Sequence, residues 1–270
     1  MQICILRENQ LSADHREAWD HLQCAWPLFD SPYFRPEFLR AVASVRPNVE
    51  IAVLKQAGEL VGFFPFERGI MGTAQPLGNV LSDFHGVIAS PHVHWSPREL
   101  LEACGLKSWT FHHLLAQQEP FHPFHWREAD SPFMDLSLGY EAYRVSRRGA
   151  GSLMTKRMAQ RKRKLEREHG TVTFDSDCRE EAVFQQMLRW KSQQYRVCGL
   201  VDLFASPWIV ELLRKIWQNT SPAFRGRLFA LFVQGELVAV EFAMQSHRVL
   251  HSWFPCYNRA YARYGTGNLL

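Results

Sequence analysis

The sequence predicts an α/β (α+β) protein made of two tandem lobes, 1–140 and 141–270, each a mixed central sheet flanked by helices. Three observations carry this reading. Residues 52–66, AVLKQAGELVGFFPF, resemble residues 230–243, ALFVQGELVAVEFA, and both read as strand, Gly turn, strand around a shared GELV. In each half the hairpin follows helices and precedes a further apolar run and a Gly-rich loop, the order expected of one duplicated unit. The chain has 270 residues, 46% hydrophobic and 21% charged, which supplies apolar material for a sizeable core and excludes global disorder.

The elements follow in order. Ser12 caps a first helix whose Ala18, Trp19, Leu22 and Trp26 recur at helical spacing. A second helix follows SPYFRP, with Pro36 at its first position, Phe38, Leu39, Val42 and Ala43 as its stripe, and Pro47 just beyond its end. IAVL, KQAGE and LVGFFPF make a hairpin turning at Gly58. Residues 72–90 are Gly-rich with short apolar runs. Ser96, Pro97 and Glu99 start a helix with an acid three residues after the cap. WTFHHLLA, 109–116, reads as a strand, and Pro120 to Pro132 as loop. A basic helix over 141–168 should be interrupted at Gly149 and Gly151 and stopped by Gly170. TVTF is a strand, 178–198 a helix ended by Gly199, and Ser206-Pro207 opens another. RLFALFV, LVAVEFAM and VLHSWFP are the closing strands.

Composition narrows the class. Six cysteines stand at 4, 24, 104, 178, 198 and 256, with no C-x-x-C pair, so neither a disulfide framework nor a cysteine metal site is expected. MQICILRENQ puts Arg7 and Glu8 where a signal peptide needs apolar residues, and no run of about 18 apolar residues occurs. The reading places the protein in the cytoplasm, or at the inner face of the membrane. Net charge is +4, yet residues 144–167 hold ten Lys or Arg against one acid, Glu166. That segment is the expected contact for a polyanion or a membrane surface. His92 and His94, His112 and His113, and His122 and His125 lack a third ligand at metal spacing, so no metal is expected.

Near the end, a strand and an aromatic-rich stretch lead into Arg263-Tyr264-Gly265-Thr266-Gly267-Asn268-Leu269. Gly-x-Gly after a strand lets backbone amides approach a phosphate. The order of hairpin, third strand and Gly loop resembles the coenzyme A core of the GCN5-related N-acetyltransferase (GNAT) superfamily. SPYFRPEFLRAVA, LSDFHGVI, MAQRKRKLEREHG, WKSQQYRVCG and YARYGTGNLL extend the likeness to its CelD-type cellulose and polysaccharide-biosynthesis branch, related to FemAB. The resemblance implies acetyl-CoA, or another acyl-CoA, as substrate, and residues 263–269 as its binding loop. It also implies further strands beyond Leu270, so a truncated second lobe. The family's loop begins with Gln or Arg, two residues, then Gly-x-Gly or Gly-x-Ala. Here the basic position is Ala262, and Arg263 comes one place late.

Direct acyl transfer needs a grip on the coenzyme, a positioned acceptor, a base and an oxyanion donor. Asp83 and His85 flank Phe84 and, in a strand, would share one face. His251 lies on the strand that precedes the Gly loop and, by the resemblance, runs beside the thioester. In the helix 178–198 an apolar stripe turns polar at Lys191, Gln194 and Tyr195. His251, Asp83, His85 and Tyr195 are therefore the expected catalytic groups, and Lys191, Gln194 and Tyr257 the expected acceptor contacts. The activity expected is acyl transfer to a cell-envelope polysaccharide or its precursor, a small-molecule or glycan acceptor rather than nucleic acid. The rivals are a FemAB-like aminoacyl-tRNA-dependent transferase and a non-catalytic scaffold of a polysaccharide synthase complex.

Overall fold

A computed structural model describes residues 1–270. The first part of the chain holds β1 (Gln2–Leu6), α1 (Ala13–Ala25), α2 (Pro36–Ala43), β2 (Val49–Gln56), β3 (Glu59–Arg68), β4 (Thr73–Pro76), β5 (Ile88–Ala89), α3 (Pro97–Ala103) and β6 (Ser108–Trp109). Then come α4 (Tyr140–Gly149), α5 (Met154–His169), β7 (Val172–Asp175), α6 (Glu181–Val197), α7 (Pro207–Gln218), β8 (Arg225–Val233), β9 (Glu236–Gln245) and β10 (Leu250–Tyr257). No helix is long and apolar enough to cross a membrane. The fold class is the mixed α/β one expected.

Two compact units divide the chain. One comprises Met1–Trp126, Ala205–Gly226 and Met244–His251; the other comprises Arg127–Phe204, Arg227–Ala243 and Ser252–Leu270. The lobe boundary near residue 140 read from the sequence stays our proposal about the repeat; compactness is a separate property and groups residues by contact.

In the first unit the sheet runs β1-β2-β3-β4-β6, with β5 also on β3. All pairs are antiparallel except β4 with β6. Alternation on β3 sends its rings to opposite faces. Phe63 stacks on Trp19 of α1 at 4.7 Å, whereas Phe64 meets Trp109 edge-on at 4.9 Å. The central strand β2 is buried on both faces, Ile51 through Leu54 being fully inaccessible. Ser12 caps α1 as expected, and its hydroxyl accepts the His15 amide at 3.3 Å. Pro36 opens α2, which buries Phe38, Leu39 and Val42.

In the second unit the sheet order is β10-β9-β8-β7, with β7 antiparallel to β8. Phe184 of α6 packs on Phe242 of β9. Leu165 of α5 joins Leu231, Val233, Val238 and Tyr264 in a further cluster. The basic segment is indeed broken: α4 and α5 are separated by residues that include Gly151 at φ 79°, and Gly170 ends α5 at φ 94°.

The two GELV hairpins are equivalent inside their own sheets. Each is the second and third strand of a β-β-β-β order, β1-β2-β3-β4 and β7-β8-β9-β10. Each turns through two residues at positive φ, Ala57 and Gly58 (50° and 88°) and Gln234 and Gly235 (49° and 82°). Positive φ at both central residues is the primed turn that matches strand twist. After each set comes a left-handed glycine that heads a 3-10 turn, Gly78 and Gly265. The sequences there are also alike, GNVL at 78–81 and GNLL at 267–270.

Two expectations fail. The strand expected over 109–116 stops at Trp109, and His113 takes φ 52°. Residues 83–87 are not a strand either, so alternation does not put Asp83 and His85 side by side. The backbone there is satisfied by a side chain instead of a ladder. Gln118 accepts from the Val87 amide at 2.9 Å and donates to the Val87 carbonyl at 2.7 Å. Gly86, at φ 153°, leaves no room for a Cβ beside that amide group.

Candidate functional site

Tyr33, Asp83 and His251 meet in the first unit. His251 Nε2 lies 3.1 Å from Asp83 Oδ2 and 3.2 Å from the Tyr33 hydroxyl, which lies 3.3 Å from the same Oδ2. A carboxylate only accepts, so Nε2 carries the proton and donates it to Asp83. In its neutral form this tautomer has the lone pair on Nδ1, the arrangement a general base requires. Aromatic edges fix the ring, with Tyr33 at 5.0 Å and Phe84 at 5.9 Å between centroids. Tyr33 is buried in the 3-10 turn Pro32–Phe34, and Pro32 presets that turn's backbone angle.

Electrostatics agree with an ionised Asp83. Burial pushes its carboxyl up, but the hydrogen bond and charge of His251, with His113 and Tyr33, outweigh it and hold the pKa below the usual value. Its stabilising contribution is present above the unfolded carboxyl pKa of about 4 and is lost as pH falls through the lowered folded value. Burial and the Asp83 charge push the Tyr33 hydroxyl well above its ordinary range, so it stays protonated.

His85 is elsewhere. Its buried ring meets Trp109 and His112 edge-on, and neither ring nitrogen has a hydrogen-bond partner. Burial, and then the charges of His112 and His113, hold its pKa well below 6.5. The unfolded chain takes a proton near pH 6.5, and the folded one does not until well below that. Stability should therefore fall as pH drops below about 6.5 toward the folded value. His85→Leu should flatten the melting temperature between pH 7 and pH 5, whereas loss through Asp83 sets in only at more acid pH. An unchanged slope in the variant would show that His85 does not set it.

In the second unit Lys191 is buried and donates to Gln194 Oε1 at 3.1 Å and to the Pro255 carbonyl at 3.2 Å. Burial lowers its pKa, offset by nearby Cys256 and Cys198. Its ammonium sits over the Tyr195 and Phe254 rings at 5.6 and 5.8 Å. Lys191, Gln194 and Tyr195 thus form one group, as the helical stripe implies, although Gln194 itself is exposed.

The Gly loop follows β10. Gly265 adopts φ 63°, ψ 42° and heads a 3-10 turn, Thr266–Asn268. The Asn268 and Leu269 amides donate within that turn, to Gly265 and Thr266. The Thr266 and Gly267 amides lead it, where helix ends leave N–H groups outside their own ladder. The Tyr257 ring lies against Gly267, 3.2 Å from where a Cβ would stand.

Residues 152–270 match a family model described as Acetyltransferase (GNAT) domain. Over this stretch the chain is similar to a GNAT acetyltransferase domain. The protein is an acyltransferase. No curated protein matches the chain. Among solved structures, a tandem GNAT protein from the clavulanic acid biosynthesis pathway, without AcCoA, aligns over 100% of this chain and 82% of its own. Its identity is 12% and the TM-score 0.44.

GNAT folds generally use acetyl-CoA as substrate, and the loop's small residues and leading amides suit its phosphates. Arg263 is engaged within the second unit: its guanidinium bonds the Tyr264 hydroxyl and lies 3.3 Å from Glu168. Tyr264 is buried and donates to Glu168 at 2.6 Å, so its side chain serves packing. Leu269 packs against the same cluster. One residue escaped sequence reasoning. Tyr33 lies in SPYFRP, which reads only as the lead-in to a helix. Asp20, Cys24 and His247 come within 4.8 Å of one another, but the Arg35 guanidinium is 2.5 Å from Asp20 and 3.3 Å from His247 and supplies the positive charge there.

Proposed function

We propose that the protein transfers an acetyl group from acetyl-CoA to a hydroxyl of a cell-envelope polysaccharide or its precursor, with His251 as base. The observation that carries this is the His251–Asp83 pair with its free Nδ1, at the start of the strand that leads into the GNAT loop. Nδ1 takes the proton of the acceptor hydroxyl as its oxygen attacks the thioester carbonyl. The carbon–sulfur bond breaks, the imidazolium returns its proton to the sulfur, and the coenzyme leaves as its thiol. Lys191, Gln194, Tyr195 and Tyr257 are our candidates for acceptor contacts. The test is incubation of the protein with acetyl-CoA and oligosaccharide acceptors, following free thiol and acetylated product. Free thiol formed no faster with any acceptor than without one would overturn the proposal.

Coenzyme affinity should depend on Gly267. A Val there would meet the Tyr257 ring and crowd the amides that face the phosphates. Tyr257 is 43% exposed and free to yield. Gly267→Val should therefore weaken coenzyme A binding about tenfold or more, with the melting temperature nearly unchanged. Equal calorimetric affinity in variant and parent would count against this loop.

A second reading, transfer from aminoacyl-tRNA, draws on one feature. Lys156, Arg157 and Arg163 of α5 have no acidic partner, whereas Lys162 pairs with Glu166 and Arg144 with Glu141. Unpaired cations on an exposed helix favour a polyanion. Replacing Arg161, Lys162, Arg163 and Lys164 with Gln should weaken binding to heparin or anionic vesicles and flatten its salt dependence. A tRNA shift that exceeds both would favour the second reading. Identical binding of all three by variant and parent across salt would remove any electrostatic role.

A further inference from the structure

The GNAT loop lacks the basic residue that would face a diphosphate, because position 262 is Ala. Two anionic phosphates cradled only by amides keep most of their charge uncompensated, so a cation should come from outside the loop. One does. The guanidinium of Arg161 lies directly over Gly265, in the space a Cβ would occupy. Helical spacing explains why. Arg161, Leu165 and Glu168 recur at i, i+4, i+7 on α5 and share a stripe. Leu165 is fully buried against Tyr264, and Glu168 accepts the Tyr264 hydroxyl at 2.6 Å. His169 Nε2, at 2.8 Å from that hydroxyl, completes the clamp between the end of α5 and the loop. The stripe that fixes the helix to the loop therefore delivers Arg161 to Gly265.

Arg161 has no acidic partner, although carboxylates are close by on the same helix. Arg263 is held by Glu168, and Lys162 by Glu166. One residue on from Gly265, the Thr266 side chain is fully buried and its Oγ1 has no hydrogen-bond partner. An unpaired guanidinium over a left-handed glycine, next to an unpartnered buried hydroxyl, marks a place for an anion.

We propose that Arg161 of α5 supplies the cation missing at Ala262 and binds the diphosphate of the coenzyme. This rests on the acyl-CoA reading above. Its fork of N–H donors suits two adjacent phosphates better than a lysine would. Gly265 is then required twice, for its backbone angle and for the approach of the guanidinium.

The test is calorimetric titration of coenzyme A and of dephospho-coenzyme A, which lacks the 3′-phosphate, into the intact chain. Arg161→Gln is exposed and should fold normally. It should weaken both ligands by roughly tenfold. Adding Ala262→Arg, at an exposed position, should recover most of the loss. Lys162→Gln should bind as the parent does. Parental affinity in Arg161→Gln would overturn the proposal and leave the acyl-CoA reading standing. A loss seen with coenzyme A alone would move Arg161 to the 3′-phosphate and overturn it too, as would an equal loss in Lys162→Gln. A parent protein that binds neither ligand would overturn both this proposal and the reading beneath it.

Discussion

His251→Ala should lower kcat for acyl transfer by about a hundredfold or more, the usual worth of a positioned general base, with coenzyme A affinity unchanged. The reason is the placement of its protons. Asp83 can only accept, so it holds the Nε2 proton and leaves Nδ1 free. Asp83→Asn should therefore cost nearly as much, because an amide can donate to Nε2 and drive the proton onto Nδ1. Tyr33→Phe should cost far less, since it removes one hydrogen bond to Asp83 and keeps the ring packing. The pattern of a large, a large and a small effect on kcat, with KM for acetyl-CoA held, identifies the base. His251→Ala within twofold of the parent would remove His251 from the chemistry.

Gly226→Ala should destabilise the protein by about 3 kcal/mol or more. The start of β8 crosses the end of α7 at this glycine. A Cβ there would stand 2.5 Å from the Ile216 carbonyl oxygen and 2.7 Å from the Ile216 carbonyl carbon and Trp217 Cα. All three are backbone atoms of a helix whose Ile216 and Trp217 are buried, so no side-chain rotation relieves the clash. For a protein of this size that cost lowers the melting temperature by roughly 6–12 °C. Gly199→Ala is the contrast. Nothing lies within 4 Å of a Cβ at Gly199, and only its φ of 68° opposes the change, at about 1 kcal/mol. A melting temperature for Gly226→Ala equal to that of Gly199→Ala would show that β8 shifts freely away from α7.

Much of the fold is local and was legible as such. Ser12 and Ser96 cap their helices because a hydroxyl reaches the amide three residues on. Pro36 and Pro207 open helices because their missing amide costs nothing there. The GELV turns close because Gly58 and Gly235 accept positive φ. Each of these depends on a few adjacent residues, and the repeat they expose is the ground for expecting two lobes. The Gly loop and the odd Ala262 were visible for the same reason.

What tertiary structure alone decided is which distant groups meet. Asp83 and His251 are 168 positions apart, and Tyr33 and His251 are 218 apart, so no spacing rule joins them. Alternation even suggested the wrong partner for Asp83, because it assumes a strand where Gln118 satisfies the backbone with its side chain. His85 was sent into the core by that departure. Arg161 was lost among like charges, since only the packing of Leu165 and Tyr264 singles out its face of the helix. Local residues fix the elements through short-range sterics and capping. Long-range packing, which the sequence encodes without marking, then selects the few side chains that end at one place.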